Sequence, residues 1–325
     1  MALTIIGLTV MHPLAQTRLF GGRTLLDAHN AYPDEGLYPD RIDRAIATAL
    51  QPLVIEQDVA LATIKGAAVS VVSHDDVLSG TEPTLERHFF DRVRPIVEGA
   101  LKDGNKASWP VVVLHLDFKT NEREHHRAVW DLLVKHRDWL TTAAFSSDAS
   151  RISPFVPGPM IVLTENGKDQ EKDFSEWAAS TGVNLLFGTT PPPAVPQAKE
   201  DAERSRILIN ATPQALMPAA ATSYRRWANF PWAVIEEGGP TKAGPWTADD
   251  EARLKSVVGY AHSQGLMIRF YTLNGHAPAA SRGWTASYNF GSIEAVRQRW
   301  QAAIKTGVDL IATDQYEDLA ALLRK

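Results

Sequence analysis

Short apolar runs alternate with amphipathic stretches along almost the whole chain. The runs at residues 53–62, 111–118 and 160–164 are dominated by Val, Ile and Leu, which predicts buried strands. In the stretches 84–101 and 248–263, apolar residues instead recur every three or four positions, which predicts helices. Strands that alternate with helices over a full chain are typical of a parallel sheet.

The number of these units predicts an α/β protein with a (β/α)8 TIM barrel. We count roughly eight strand–helix units, including a predicted strand at residues 233–236, and residues 191–217 are predicted to be a surface excursion. No change of composition separates two domains, so we predict one barrel domain over residues 23–325. An open doubly wound sheet is the alternative, but the chain lacks a Gly-rich turn after its first strand.

The amino-terminal segment, residues 1–22, has two interpretations. Residues 3–14 (LTIIGLTVMHPL) form an apolar run of signal-peptide length, but no Lys or Arg precedes it, and His12 and Pro13 interrupt it. The run is either a leader that is removed from an exported protein, or a strand or plug at the bottom of the barrel. The sequence excludes neither interpretation, and of the two we favour a leader removed from an exported protein.

Composition narrows the class of protein. The 325 residues are 44% hydrophobic and 22% charged, which is ordinary for a globular protein with a large core. A net charge of -5 argues against nucleic acid as a partner, because proteins that bind nucleic acid usually have a basic surface. Cysteine is absent, so the chain forms no disulfide and offers no thiolate ligand or nucleophile. No apolar stretch is long enough to span a bilayer. We also expect the protein to be a monomer.

Carboxylates on the predicted strands suggest a metal site. Glu56 and Asp58 are two residues apart, so they face the same side of a strand, and Asp117 ends the next long apolar run. Carboxylates inside a barrel must be hydrated, protonated or bound to a cation, because unpaired buried charge is costly. Oxygen ligands favour Mg²⁺ or Ca²⁺ over zinc. The alternative is an exposed edge strand with solvated acids.

Two histidines and a lysine complete the candidate chemistry. His29 and His74 each close an apolar run, which suits a general acid and a general base, although a single strand-end histidine is more often a surface or packing residue. Lys119 follows Asp117 on the same face and would stabilise charge on a phosphate oxygen. Its alternative is a salt bridge to Asp117 or Glu56.

The remaining histidines and the known motifs carry less information. His115 points the same way as Asp117 and either lines the barrel or packs. We interpret four histidines as solvated or as residues of helix surfaces: His88, His125, His126 and His136. His276, which follows Asn274 at a strand end, would reach the barrel mouth. No G-x-S-x-G elbow, H-E-x-x-H motif or P-loop is present.

Four motifs, taken in order, resemble the superfamily of phosphatidylinositol-specific phospholipase C-like phosphodiesterases. This superfamily also includes glycerophosphodiester phosphodiesterases and sphingomyelinase D-type enzymes. The motifs are His-Asn-Ala-Tyr at 29–32, Glu-x-Asp at 56–58, Val-x-His-Asp at 72–75 and Asp-x-Lys-Thr at 117–120. Near the end of the chain, residues 307–314 (GVDLIATD) resemble the final strand of the glycerophosphodiesterases.

The resemblance implies a TIM barrel with one divalent cation, Mg²⁺ or Ca²⁺. It implies that Glu56, Asp58 and Asp117 are metal ligands, with Asn30 as a fourth, and that two histidines form the acid–base pair, His29 and His74. The chain departs from the glycerophosphodiesterases, which usually open with His-Arg-Gly and continue to Pro-Glu-Asn-Thr. Without cysteine it also lacks the disulfide-bound loop of venom sphingomyelinases. It most resembles a little-characterised microbial group with Arg-Phe-Trp or Arg-Phe-Tyr in the seventh strand.

These observations lead us to expect a metal-dependent phosphodiesterase that acts on a small-molecule or lipid head-group phosphodiester. Water and a substrate hydroxyl both remain open as the nucleophile. A non-catalytic barrel that binds carbohydrate or lipid and keeps a structural metal is the main alternative. A metal-dependent sugar isomerase or aldolase would need further acids, and Glu165 and Glu236 are the candidates.

Aromatic residues crowd the last third of the chain. They suit peripheral contact with a membrane or a sugar-like head group, while core packing under long loops is the alternative. The residues are Trp227, Phe230, Trp232, Trp246, Tyr271, Trp284, Tyr288 and Phe290.

Overall fold

The computed structural model describes residues 19–34, 38–277 and 288–325. Its strands are β1 (Leu25–Ala28), β2 (Leu53–Ile64), β3 (Ala67–Val72), β4 (Val112–Phe118), β5 (Thr142–Ala144), β6 (Phe155–Val156), β7 (Met160–Thr164), β8 (Val183–Asn184), β9 (Phe187–Thr189), β10 (Arg225–Pro231), β11 (Met267–Tyr271) and β12 (Leu310–Thr313). Its α-helices are α1 (Arg41–Ala47), α2 (Asp91–Asp103), α3 (Arg123–Lys135), α4 (Gln170–Thr181), α5 (Asp201–Asn210), α6 (Pro213–Leu216), α7 (Gly239–Lys242), α8 (Ala248–Ser263), α9 (Ile293–Thr306) and α10 (Tyr316–Leu323).

Eight parallel strands close into a barrel surrounded by helices. Their order around the barrel is β1, β2, β4, β7, β9, β10, β11 and β12, and β1 pairs with both β2 and β12. Strands β5, β6 and β8 form a separate antiparallel sheet. The predicted (β/α)8 TIM barrel is therefore confirmed. No helix in the described part of the chain is both long and apolar enough to cross a bilayer.

The apolar run before His74 is not a barrel strand. It forms β3, which turns back on β2 as an antiparallel hairpin, with Val72 opposite Val59. Because β2 runs on beyond the barrel to Ile64, the hairpin carries the chain back to the carboxyl ends of the barrel strands. There the amide of Ser73 donates a hydrogen bond of 3.1 Å to the carbonyl of Asp58, and His74 follows.

The predicted strand at residues 233–236 is wrong. The barrel strand β10 comes earlier, and a 3-10 turn occupies Trp232–Val234. The sequence of β10, RRWANFP, mixes polar and apolar residues for two reasons: Asn229 bonds to Glu165 at the cavity, and Arg225 pairs with Glu171 outside it. Pro231 then ends the strand, since it has no amide hydrogen to donate. The predicted surface excursion at 191–217 contains the helices α5 and α6.

An apolar cluster fills the barrel interior near the amino ends of the strands. Phe20 of the amino-terminal segment is buried in it, and Leu19 packs against it. The cluster comprises Phe20, Leu25, Val54, Val113, Ala143, Ile161, Leu163, Phe187, Trp227, Met267 and Leu310. A second and larger core contains the apolar faces of the helices. Residues 3–14, with both interpretations of that run, lie outside the described residues, and the boundary at residue 22 stays a prediction.

Candidate active site

The carboxyl ends of the barrel strands surround a cavity of about 340 Å³. The seven residues predicted to be metal ligands, the acid–base pair and the phosphate-binding lysine all line it, although their chemical roles stay predictions. The lining residues are His29, Asn30, Asp34, Glu56, Asp58, His74, Asp117, Lys119, Glu165, Arg269, Tyr271 and Tyr288.

The pleat of the strands explains why these side chains meet. Alternate residues of a strand face the same side, so β2 points Glu56 and Asp58 into the barrel above Val54. In β4 the carboxylate of Asp117 lies next in register to that of Asp58, because these two residues are partners across the pair of strands. Glu56 and Asp58 therefore face the same side of the strand and line the same cavity, as their spacing predicts.

Lys119 joins two of these carboxylates. Its ammonium lies 2.6 Å from Oδ2 of Asp58 and 2.7 Å from Oδ2 of Asp117. Burial, and then the charge of Asp117, raise the pKa of Asp58 to about 8, against the opposing effect of Lys119. Although burial favours the neutral amine, the two carboxylates raise the pKa of Lys119. The salt bridge to Asp117 considered for Lys119 from the sequence is thus present.

His29 is held by a buried carboxylate that the sequence reasoning did not assign to the site. Nδ1 of His29 lies 2.9 Å from Oδ1 of Asp314, which also accepts a bond of 2.6 Å from Arg41. Asn274 donates to the other oxygen of Asp314 at 2.6 Å. Burial opposes a charged imidazole, but Asp314 and then Glu56 outweigh it and raise the pKa of His29. The bond through Nδ1 leaves Nε2 for the cavity.

The backbone of His29 is also fixed. Its carbonyl accepts hydrogen bonds from Arg41 at 3.3 Å and from the hydroxyl of Tyr316 at 2.6 Å. Both ends of the chain contribute to this support, because Arg41 belongs to α1 and Tyr316 begins α10. Asp314 ends the motif GVDLIATD and so had a visible signal, whereas nothing in the sequence around Arg41 indicates its role.

His74 and Asn30 also lie beside the strand carboxylates. Nε2 of His74 lies 4.0 Å from Oδ2 of Asp58, and the His74 side chain is 46% exposed. Asn30 contacts Glu56 through its backbone, because its amide donates to Oε2 at 3.3 Å. Its φ of 47° places it in the left-handed region, which asparagine tolerates better than most residues. Asn30 therefore supports a carboxylate.

A buried layer of charge lies directly beneath the cavity. Arg269 donates from Nε to Asp27 and from Nη2 to Oε2 of Glu56, the latter at 2.7 Å. His115 lies beside them, with Nδ1 3.3 Å from Asp27 and Nε2 3.2 Å from Glu165. Although burial and Arg269 oppose its charge, Glu56 and hydrogen bonds to Asp27 and Glu165 raise the pKa of His115 to about 10. His115 thus lines the barrel interior beside three carboxylates.

One part of this layer could hold a metal ion. Among residues 19–34, 38–277 and 288–325, the group that brings three ligand atoms within 4.8 Å of one another consists of Asp27, Glu56 and His115. Arg269 already pairs with both carboxylates of the group, so the protein itself supplies positive charge against the negative charge of these two acids. The predicted set of Glu56, Asp58 and Asp117 shares one member with it.

The chemistry of the cavity wall nevertheless fits a divalent cation at the predicted set. Five carboxylates and two permanently charged cations line the cavity within the described parts of the chain. Oδ1 of Asp58 is buried and accepts no well-formed hydrogen bond among these residues, although the Tyr32 hydroxyl interacts with this carboxylate. Carboxylate oxygens that carry excess negative charge are the ligands that Mg²⁺ and Ca²⁺ prefer. A phosphodiester anion would also be repelled by this wall unless a cation balanced it.

Several residues considered from the sequence lie elsewhere. Glu165 lines the cavity, but Glu236 is buried against Arg299 and does not, so the isomerase alternative lacks its second acid. The four helix histidines predicted to be solvated or on helix surfaces are in fact buried: His88, His125, His126 and His136. His125, for example, contacts Ser70 of the hairpin at 3.0 Å. The predicted mouth residue His276 is not among the residues that line the cavity.

The aromatic residues divide between the core and the cavity. Trp227, Phe230 and Trp232 are buried, as core packing requires, and Trp246 and Phe290 pack against the core. Tyr271 and Tyr288 line the cavity, with ring centroids 6.0 Å apart and the rings edge to face. Trp284 lies outside the described residues.

Comparison with known proteins adds no family to this description. None of the models of protein families matches the chain, and the search of curated proteins finds no significant match. The fold and the geometry of the cavity therefore define a TIM-barrel protein with a polar, acidic site at the carboxyl ends of its strands.

Proposed function

We propose that the protein is a metal-dependent phosphodiesterase with its active site in this cavity. The observation that carries the proposal is the meeting of two imidazoles, three strand carboxylates and one lysine around a single space. Phosphodiester cleavage needs a general base, a general acid and positive charge near the phosphate, and these residue types supply all three.

Glu56, Asp58 and Asp117 are the residues that would hold the cation, Mg²⁺ or Ca²⁺, with Asn30 as the fourth candidate. When bound, the cation would neutralise a non-bridging phosphate oxygen and lower the pKa of a nearby hydroxyl. Asp58 and Asp117 hold the Lys119 ammonium beside the same space. Lys119 adds positive charge where negative charge develops on the phosphate.

The two imidazoles take different parts in the proton transfers. Asp314 fixes the ring of His29 through Nδ1 and, against the effect of burial, raises its pKa, which suits Nε2 to the role of donating a proton to the leaving oxygen. His74, on the more exposed side of the cavity, removes a proton from the nucleophile. Arg41 and Asn274 keep Asp314 in place and need not touch the substrate.

The size of the cavity limits the substrate. A volume of about 340 Å³ suits a head group and its phosphate, whereas long acyl chains would have to remain outside. We therefore propose a small-molecule or lipid head-group phosphodiester as the substrate class. A lipid substrate would bring the barrel into peripheral contact with a membrane.

A non-catalytic barrel that binds a carbohydrate or lipid head group is the second candidate. It is favoured by one observation: Lys119 and Arg269 already pair with three of the cavity carboxylates, so these three are held in place without a bound ion. Tyr271 and Tyr288 would then supply the rings against which a sugar packs.

The test is hydrolysis of bis-p-nitrophenyl phosphate and of glycerophosphodiesters, with added Mg²⁺ or Ca²⁺ and with EDTA. We expect turnover that depends on the cation and that is lost in His29→Ala and in His74→Ala. His262→Gln is the matched control, because His262 bonds to Asp309 and does not line the cavity. Activity that survives both alanine substitutions would refute the proposal.

A further inference from the structure

Lys119 occupies the space between two carboxylates that the proposed function assigns to a metal. Its ammonium is 2.6 Å from Oδ2 of Asp58 and 2.7 Å from Oδ2 of Asp117. Asp58 is buried, while the Lys119 side chain is 22% exposed. The ammonium therefore sits at the edge of the cavity with solvent on one side and the two acids on the other.

A divalent cation and this ammonium cannot share the same oxygen atoms. Two positive charges in contact with the same carboxylates of a partly buried site repel each other strongly. A cation coordinated by Oδ2 of Asp58 and of Asp117 would compete with Lys119 for the oxygen atoms that now accept from its ammonium. Charge repulsion and this competition together favour release of the ammonium when the cation binds.

The surroundings allow the lysine side chain to move while its backbone stays. The amide of Lys119 donates to the carbonyl of Val59 at 2.8 Å, and the hydroxyl of the next residue, Thr120, is held by Leu61 and His125. A lysine carries its charge on a flexible four-carbon stem, so rotation about the side-chain bonds is enough to free the carboxylates.

The other cation beside the cavity is held differently. Arg269 is fully buried and spans Asp27 and Glu56 with separate nitrogen atoms of its rigid guanidinium. It has no solvent-exposed side towards which it could turn. Among the described residues that line the cavity, Lys119 and Arg269 carry a permanent positive charge, and Lys119 is the one whose charged group can move away.

We propose that Lys119 is the resident counter-ion of the metal-free site, and that a divalent cation displaces its ammonium from Asp58 and Asp117 into the cavity. The proposal rests on the proposed metal site and adds a regulation to it. In the metal-free protein the lysine holds the carboxylates together. In the metal-bound protein it is released towards the phosphate, so cation binding and readiness for an anionic substrate are coupled.

Calorimetric titration with Mg²⁺, Ca²⁺ and Mn²⁺ alone tests this exchange. We expect Lys119→Met to bind the cation on the order of tenfold or more tightly than the unchanged protein, because a like charge in direct competition is gone. Lys106→Met is the control, since Lys106 is exposed and distant from the acids. Equal or weaker binding by Lys119→Met, or no binding by either protein, overturns the proposal.

Labelling of lysines in the unchanged protein gives a second readout that does not depend on how a variant folds. An amine-reactive reagent followed by peptide mass spectrometry should modify Lys119 slowly without metal and faster with it, while labelling of Lys106 stays constant. Labelling of Lys119 that stays constant or falls on addition of metal overturns the exchange. Neither experiment involves a phosphodiester, so the exchange can hold in a protein without turnover, and turnover can occur without the exchange.

Discussion

The two ends of the barrel interior are built by the same strands and have opposite character. Near its amino end, β2 contributes Val54 to an apolar cluster, and four residues later it contributes Asp58 to the cavity. In β4 the corresponding pair is Val113 and Asp117. Because every second residue points inward, one strand supplies both packing and chemistry without any change of backbone. Residues that stabilise the barrel therefore lie near the amino ends of the strands, and residues of the candidate site lie near the carboxyl ends.

A layer of compensated charge separates these two ends. The layer consists of Asp27, Glu56, His115 and Arg269. Glu56 and Arg269 also line the cavity, and Arg269 pairs with both carboxylates. Buried ions are expensive unless they are paired and hydrogen-bonded, so each member of the layer depends on the others. The comparison predicts that substitutions at different heights damage different properties.

The largest effect is expected at the cavity. His29→Ala should lower kcat/KM for the phosphodiester by about 10²- to 10⁴-fold, because it removes a positioned proton donor. The unfolding free energy should change far less than the activation free energy does. The measurement is steady-state kinetics together with urea unfolding. If the loss of activity only reflects a smaller fraction of folded protein, the result would contradict the separation of catalytic from stabilising residues along the barrel.

The charged layer should respond in stability. Arg269→Met leaves Asp27 and Glu56 buried without their guanidinium, and we expect the unfolding free energy to fall by about 3–5 kcal/mol. Arg127→Met is the matched control, since Arg127 pairs with Asp131 on an exposed helix surface, where such a pair contributes about 0–1 kcal/mol. If chemical unfolding shows similar losses of unfolding free energy for the two variants, the buried layer stabilises the fold no more than an exposed salt bridge does, which would contradict this prediction.

The apolar end should respond in stability alone. Ile161→Ala creates a cavity in the inner cluster and should cost about 2–5 kcal/mol of unfolding free energy. At a temperature at which the variant remains folded, kcat/KM should match that of the unchanged protein. A strong fall in kcat/KM of the folded variant would show that the lower cluster positions the site, and the two ends would not be separable.

The smallest effect concerns pH. Asp314 raises the pKa of His29, so the stability from this pair is fully present below the ordinary histidine value of 6.5 and is lost as pH rises through the raised pKa. Asp314 has its pKa lowered from 3.8, so its contribution is lost in acid. Unfolding free energies of the unchanged protein and of His29→Gln should therefore converge as pH rises above 6.5. A difference that grows with pH has the wrong sign for this pair.

The sequence predicts the barrel and the cavity lining well because both follow from local patterns. Glu56 and Asp58 reveal their common face by their spacing, and Asp117 and Lys119 reveal theirs by following an apolar run. These signals require only the pleat of a strand and the rule that strand ends meet at one face of a barrel.

What the sequence could not predict depends on closure of the barrel. His29 and Asp314 meet across 285 residues, because β1 pairs with β12, and no local pattern reports that contact. His125 and His126 fall on a helix face that reads as polar, yet the hairpin and α4 cover them. Strand β10 was missed because the inward residue Asn229 bonds to Glu165 and Arg269, which an apolar pattern does not anticipate.

The most direct test of the central claim is a crystal soaked with Mn²⁺ and a phosphate analogue, with the metal located by anomalous scattering. The account predicts the metal at Asp58 and Asp117, the Lys119 ammonium moved away from both, and the analogue between the metal and the rings of His29 and His74. Metal bound only among Asp27, Glu56 and His115, or an analogue held only by Tyr271 and Tyr288, would contradict the assignment of this cavity to phosphodiester cleavage.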